Sequence, residues 1–263
     1  MRDLKAGALT AALLVALLAS VATIAPADVI QRGNLRLFFD GELSPTTLPR
    51  SGTAPVRVAV GVKIVSTKAT NPPRLRQISI AINRNGHFNP WGLSVCPLRE
   101  IQPSTTEAAL RACRSSLVGT GTFSAKVLFS QQAPFPSVGK IYAFNSILHG
   151  HPAILAHVYG THPVPTSFVL PFEMRPGKGT YGTVLRASLP AVTGNSGYIT
   201  GLSLDLGRNF SSGGKRRSYL SAGCPAPKGF DKAVPFPFAH ASFAFVGGRQ
   251  VDSTLTRSCK ARG

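Results

Sequence analysis

Three features of this 263-residue chain predict an all-β fold: an antiparallel β-sandwich, jelly-roll-like, with one short α-helix. Polar and apolar residues alternate with period two over many short stretches, the pattern of strands with one face on a core. Twenty-one prolines and 26 glycines interrupt the chain at short intervals, which disfavours helices and marks turns. Four cysteines occur with no C-x-x-C pair, which points to two cross-links rather than a structural zinc site.

The first element is not part of the fold. Residues 1–27 begin with Arg2 and Lys5, run through AGALTAALLVALLASVATI and end in Ala25-Pro26-Ala27, the three-part pattern of a secretory signal peptide. A retained anchor is the competing reading, because about 20 apolar residues can span a bilayer. The weak hydrophobicity of alanine and the small residues at the cleavage positions favour removal. No second apolar span follows, so the expected product is secreted, with no transmembrane span after cleavage. Loss of Arg2, Lys5 and Asp3 leaves 27 basic and 9 acidic residues and a net charge of +18.

The strands come next. APVRVAVGVKIV puts Val56, Val58, Val60, Val62 and Ile64 on one face and Arg57, Ala59, Gly61 and Lys63 on the other. RQISIAINRN repeats the pattern with Ile78, Ile80 and Ile82, and GLSLDLG with Leu202, Leu204 and Leu206. NLRLFF, FSAKVLF, AILAHVY, SFVLPFEM, TVLRASL and ASFAFV are further strand candidates. The one helix falls in PSTTEAALRAC, where Ser104 is placed to cap the first turn and Glu107, three residues on, to reach back to it. Ala108, Ala109, Leu110 and Ala112 then favour helix.

Four cysteines allow three pairings. Nearest-neighbour bridges, Cys96–Cys113 and Cys224–Cys259, are the expected ones, and closing the loop of 17 residues would contribute about 3 kcal/mol in a chain-entropy account. The mature residues 28–263 are long enough for one substantial domain. An echo between ISIAINRN and LSLDLGRN, each followed by a Cys-Pro, raises a two-lobed duplication with candidate lobes 28–130 and 141–263.

LRACRSSLVGTG, GKGTYGTVLRASLP, RRSYLSAGCPAPKGF and TRSCKARG together resemble a group of exported, uncharacterised actinobacterial proteins over most of the mature chain. The resemblance implies export, a β-rich domain and a paired-cysteine framework. It carries no known activity, so it assigns no site residues.

Chemistry is concentrated in one place. HGHPAILAHVYGTHP holds His149, His151, His157 and His162, four of the six histidines. On a continuous strand His149 and His151 would share a face, and with His157 or His162 they could hold copper or zinc through neutral imidazoles. A strand-and-surface cluster with no metal is the plainer expectation. A glycan-active enzyme would need two carboxyl groups facing each other roughly 5–10 Å apart. Glu173 and Asp205 are the two acids on expected strands. No G-x-S-x-G or phosphate-binding loop occurs, and no cofactor is implied.

Charge is the strongest functional signal. A net +18 concentrates polyanions near the surface, most strongly at low salt. Lys215-Arg216-Arg217 is the only tight basic run and follows Ser211-Ser212-Gly213-Gly214, a loop signature. Aromatics are not interleaved with the charges as base stacking requires, so no specific nucleic acid is expected. The chain reads as a secreted non-catalytic β-sandwich that binds anionic cell-envelope or matrix polymers. Oligomeric state is left open.

Overall fold

The computed structural model describes residues 27–68, 71–129, 131–161, 165–189, 197–230 and 232–263. The expected signal segment, Ala27 aside, lies outside the described residues, and so does His162. Seven strands precede the helix: β1 (Asp28–Arg32), β2 (Leu35–Ser44), β3 (Thr47–Pro49), β4 (Ala54–Pro55), β5 (Arg57–Ser66), β6 (Leu75–Asn83) and β7 (Gly86–Phe88). Helix α1 spans Thr106–Cys113. Then come β8 (Leu117–Val127), β9 (Phe135–Leu148), β10 (His151–Gly160), β11 (Thr166–Pro176), β12 (Tyr181–Ser188) and β13 (Gly197–Leu206). The last five are β14 (Asn209–Ser212), β15 (Lys215–Ser218), β16 (Leu220–Ala222), β17 (Ala233–Phe245) and β18 (Gln250–Arg262). The fold is all-β with one short α-helix, as the alternation and the turn residues predict.

Thirteen strands form a single sheet in the order β1-β2-β5-β13-β8-β9-β10-β11-β12-β6-β17-β18-β3. Every pairing is antiparallel except that of β18 with β3. The sheet is folded over so that its own inner face forms the core. Phe39 of β2 and Phe243 of β17, far apart in strand order, meet edge to face with ring centroids 5.7 Å apart. Leu37, Ile64, Ile78, Ile141, Leu170 and Leu255 are all buried in that interior. The two sandwich layers are therefore two halves of one sheet.

The chain itself ties the two edges together. β3 continues from β2, yet it pairs with β18 at the opposite end of the strand order. Side chains complete the seam: Arg249 Nη1 donates to Asn34 Oδ1 at 2.9 Å, and Ser253 Oγ donates to Asp28. Such closure protects sheet edges that would otherwise recruit another chain.

Close strand approach depends on two glycines of β8. A Cβ on Gly119 would sit 2.2 Å from the Asp205 carbonyl oxygen, and one on Gly121 only 1.9 Å from that of Ser203. No side chain fits there.

Both cysteine pairs form as expected: Cys96–Cys113 and Cys224–Cys259, with Cα separations of 5.4 and 5.8 Å. The first holds α1 against the outer face of β9–β11, where Ile101, Ala109, Phe144, Leu155 and Val169 form a second small core. The second ties β18 to the segment after β16. β4, β16 and β7 make a small sheet of their own, hydrogen-bonded into the loop before β5 by Val56 N–H to the Leu220 carbonyl.

Two finer expectations are corrected. The helix cap is Thr105, whose Oγ1 accepts from Ala108 N–H at 3.2 Å, because the Ser104 hydroxyl is turned back to the Ile101 carbonyl. Glu107 pairs with Arg111, one turn on, rather than with the cap. Nor do the segments 28–130 and 141–263 form separate lobes. β13 inserts between β5 and β8, and β6 lies between β12 and β17, so the two segments interleave in one sheet.

Candidate functional site

The histidines separate. His149 and Gly150 have φ of 50° and 78°, so they form the two-residue turn between β9 and β10 rather than the start of a strand. That turn removes the shared face expected for His149 and His151. His149 Nδ1 lies 2.9 Å from Glu173 Oε1, and Arg175 Nη2 donates to Glu173 Oε2 at 2.8 Å. These partners, His149 foremost, hold the Glu173 carboxyl below the usual carboxylate range.

His157 is fully buried on the outer face of β10, beneath the start of α1. Its Nε2–H donates to the Ser104 carbonyl at 3.0 Å, with the Ser104 and Ser167 hydroxyls at 3.4 and 3.3 Å. Burial pushes its pKa below the ordinary 6.5, partly offset by that backbone bond. Among the described residues its Nδ1 has no hydrogen-bond partner. Six residues of extended strand, about 20 Å, separate His151 from His157. Among the described residues no three His, Cys, Asp or Glu side chains come together as a metal site. His157 fixes the helix to the sheet.

Glu173 and Asp205 are not brought together either. Asp205 lies on β13 and Glu173 on β11, with β8, β9 and β10 between them. Asp205 is paired instead with Arg57 of the adjacent β5, Nη2 to Oδ2 at 2.8 Å. The sequence places both acids on strands but does not supply the strand order that separates them.

Lys215, Arg216 and Arg217 occupy a built element. β14 and β15 form a hairpin outside the main sheet, turned at Gly213 and Gly214 with φ of 59° and 70°. The loop expectation is thus corrected: the basic run lies on strand β15, and the two-residue turn before it fixes the register, with Arg216 opposite Ser211 and Arg217 opposite Phe210. All three cations are exposed and unpaired among the described residues. A neighbouring turn packs on the hairpin. Gly92 abuts Ser212 so closely that a Cβ would meet its hydroxyl at 2.3 Å, and Asn89 Nδ2 donates to the Ser218 carbonyl at 3.0 Å. That turn carries Trp91, the chain's only tryptophan, 63% exposed. The sequence hides this neighbour, because well over a hundred positions separate Trp91 from the basic run.

A second feature lies on the solvent face of β2, β5, β13, β8 and β9. The ladders align Asp40, Gly61, Ser203, Thr122 and Lys140 in one row across the five strands. Glu42, Ala59, Asp205, Thr120 and Tyr142 form the next row. Over these rows run two adjoining depressions of about 600 and 850 Å³, which share Asp40, Gly61, Thr122 and Ser203. A third space near Leu43 and Phe236 amounts to only about 50 Å³ with an apolar lining, a packing gap too small for an organic ligand.

No protein-family model matches the chain, and no curated protein or solved structure matches it.

Proposed function

We propose that the chain is an exported, non-catalytic β-sandwich that binds an anionic envelope or matrix polymer through the β14–β15 hairpin. The observation that carries this reading is the display of Lys215, Arg216 and Arg217, unpaired, on a rigid hairpin against which the Trp91 turn is packed. A rigid hairpin presents its cations at fixed spacing, so ordering them on a repeating polymer costs less entropy than ordering a loop. The indole offers an apolar face that a polymer backbone can cover.

The remaining charges support the same reading. Asp40, Glu100, Glu107, Glu173 and Asp205 each have an arginine partner, so few of the acids are free to neutralise the surplus of cations. Each exposed contact is weak, and affinity comes from many of them acting together.

Immobilised polyuronate and polyphosphate, titrated with the protein from 0.05 to 0.5 M NaCl, test the proposal. Retention should fall at least about tenfold over that range as screening shortens the reach of the charges. K215A/R216A/R217A should weaken binding to both polymers, and W91A should do so while leaving the salt slope unchanged. Binding that ignores salt, or that survives the triple substitution intact, would overturn it.

A further inference from the structure

We infer that the trough on the solvent face of β2, β5, β13, β8 and β9 is a separate binding site for an uncharged glycan strand. Its shape is built from residue sizes. The floor is Ala59 and Gly61 of β5 with Gly201 and Ser203 of β13, while Asp40 and Glu42 rise on one side and Lys140 and Tyr142 on the other. Along β5 the trough extends from Ala59 to Val65, six residues or about 20 Å of extended chain. That is a channel long enough for several sugar rings end to end, open along its length and therefore suited to a polymer.

The chemistry of the lining fits hydroxyl-rich rings. Thr120, Thr122, Ser124, Thr200 and Ser203 line it with hydroxyls, each able to donate one hydrogen bond and accept another. Two pairs are already in register: Thr122 Oγ1 lies 2.7 Å from Ser203 Oγ, and Thr200 Oγ1 donates to Ser124 Oγ at 3.0 Å. Carboxylates accept from neighbouring hydroxyls in bidentate fashion. Asp205 is held for this by Arg57 and Asp40 by Arg257, while Glu42 is exposed and has no partner among the described residues. Tyr142 and Tyr198 stand towards opposite ends, with Tyr198 Oη fixed by donation to Asn71 Oδ1 at 3.0 Å. Tyr198 is buried and closes its end of the trough, so the half-buried Tyr142 is the ring left to meet the apolar side of a sugar.

The donors and acceptors of the lining separate this occupant from the polyanion of the hairpin. Three of the eight described acidic residues, Asp40, Glu42 and Asp205, gather in this one trough on a chain whose net charge is +19. Lys63, Lys68, Lys126 and Lys140 line it as well, and Arg57 and Arg257 already pair with two of the carboxylates, so both signs are interspersed and the trough is not negative. A neutral polyol meets acceptors and donors in alternation along this lining, and its retention needs no net charge.

Affinity electrophoresis of the full mature chain through gels containing a neutral β-1,4-glucan, a neutral N-acetylhexosamine polymer or a neutral galactan tests the inference. At least one polymer should retard the protein, and 1 M NaCl should not abolish the retardation. Y142A and E42A should each reduce it at least fivefold, and A59Y, which fills the floor, should remove it. Circular dichroism and melting temperature identify any variant that fails to fold, and E42A, at an exposed side chain, retains the test if A59Y does so. K215A/R216A/R217A should leave glycan retardation unchanged, which separates this site from the hairpin. No retardation by any of the three polymers, or retardation unaffected in folded Y142A and E42A, would overturn it.

Discussion

Arg257 of β18 donates through Nη2 to Asp40 Oδ1 of β2 at 3.1 Å, and through Nε to the Gly41 carbonyl, across the seam where the two edges of the sheet meet. The Arg257 side chain is only 13% exposed, so the guanidinium is largely desolvated and its partners cannot be replaced freely by water. Asp40 also stands on the wall of the trough, which couples the closing of the fold to the shape of its outer face. R257A is expected to destabilise the protein by about 1–3 kcal/mol, because it leaves a carbonyl and a carboxylate without their charged donor. R257K should recover only part of this, since an ammonium lacks the fork that reaches both acceptors. Urea denaturation of the three proteins measures it; a midpoint unmoved in R257A would mean that the seam is held elsewhere.

His157 makes stability depend on pH in a defined window. Its folded pKa lies below 6.5 because burial disfavours the imidazolium, so below about pH 6.5 the unfolded chain binds more protons than the folded one. Stability is therefore complete above about pH 7.5 and declines as pH falls through 6.5, until the folded-state histidine also protonates. Glu173, whose folded pKa is depressed below 4.5, loses its contribution only at lower pH, as pH falls through that folded value. H157Q retains an amide donor for the Ser104 carbonyl and has no charge to gain, so its stability should be flat between pH 8 and 5.5. Equal slopes for wild type and H157Q in that interval would count against the assignment.

Tyr219 presents the reverse case. Its ring is fully buried and packs edge to face on Phe88 with centroids 6.0 Å apart, but among the described residues its hydroxyl has no hydrogen-bond partner. Desolvation pushes its pKa strongly upward, so it stays neutral at any pH the fold survives. Y219F keeps the packing and removes the unpaired hydroxyl. The expected change is from zero to about 2 kcal/mol of added stability, read from the urea midpoint. A loss above about 1 kcal/mol would show that a water or another group satisfies the hydroxyl.

Much of this architecture is legible in the chain and part of it is not, for definite reasons. Alternation is local, so the buried faces of β5, β6 and β13 can be read from Val62, Ile78 and Leu204 alone. The nearest-neighbour cysteine pairs are also a local expectation. Strand order is not local: nothing near Asp205 says that β13 pairs with both β5 and β8, which is what assembles the trough from three distant segments. Ala59 and Gly61 are readable as the second face of the β5 alternation, but only the ladder shows that they align with Ser203 and Thr122. The histidine cluster misleads for the opposite reason, since nearness in sequence is undone by one turn at His149-Gly150 and by the helix that covers His157.

Gly121 isolates the steric requirement for that alignment from the conformational one. Gly52 has φ of 78° and open space around its missing side chain, so an alanine there meets only backbone strain, about 1–2 kcal/mol. Gly121 lies in regular strand without a positive φ, and its obstacle is the Ser203 carbonyl oxygen 1.9 Å from where a Cβ would be. Backbone cannot rotate away as a side chain can, so β8 and β13 must part at the middle of the trough floor. G121A should therefore cost at least the about 1–3 kcal/mol of an overpacked site, exceed the cost of G52A, and increase amide exchange at Thr122, whose N–H donates to Ser203 Oγ at 3.1 Å. Exchange at Val62, on the far side of the neighbouring strand, should rise less. If G52A proved the more damaging of the two, the close approach of β8 to β13 would not be what shapes this face.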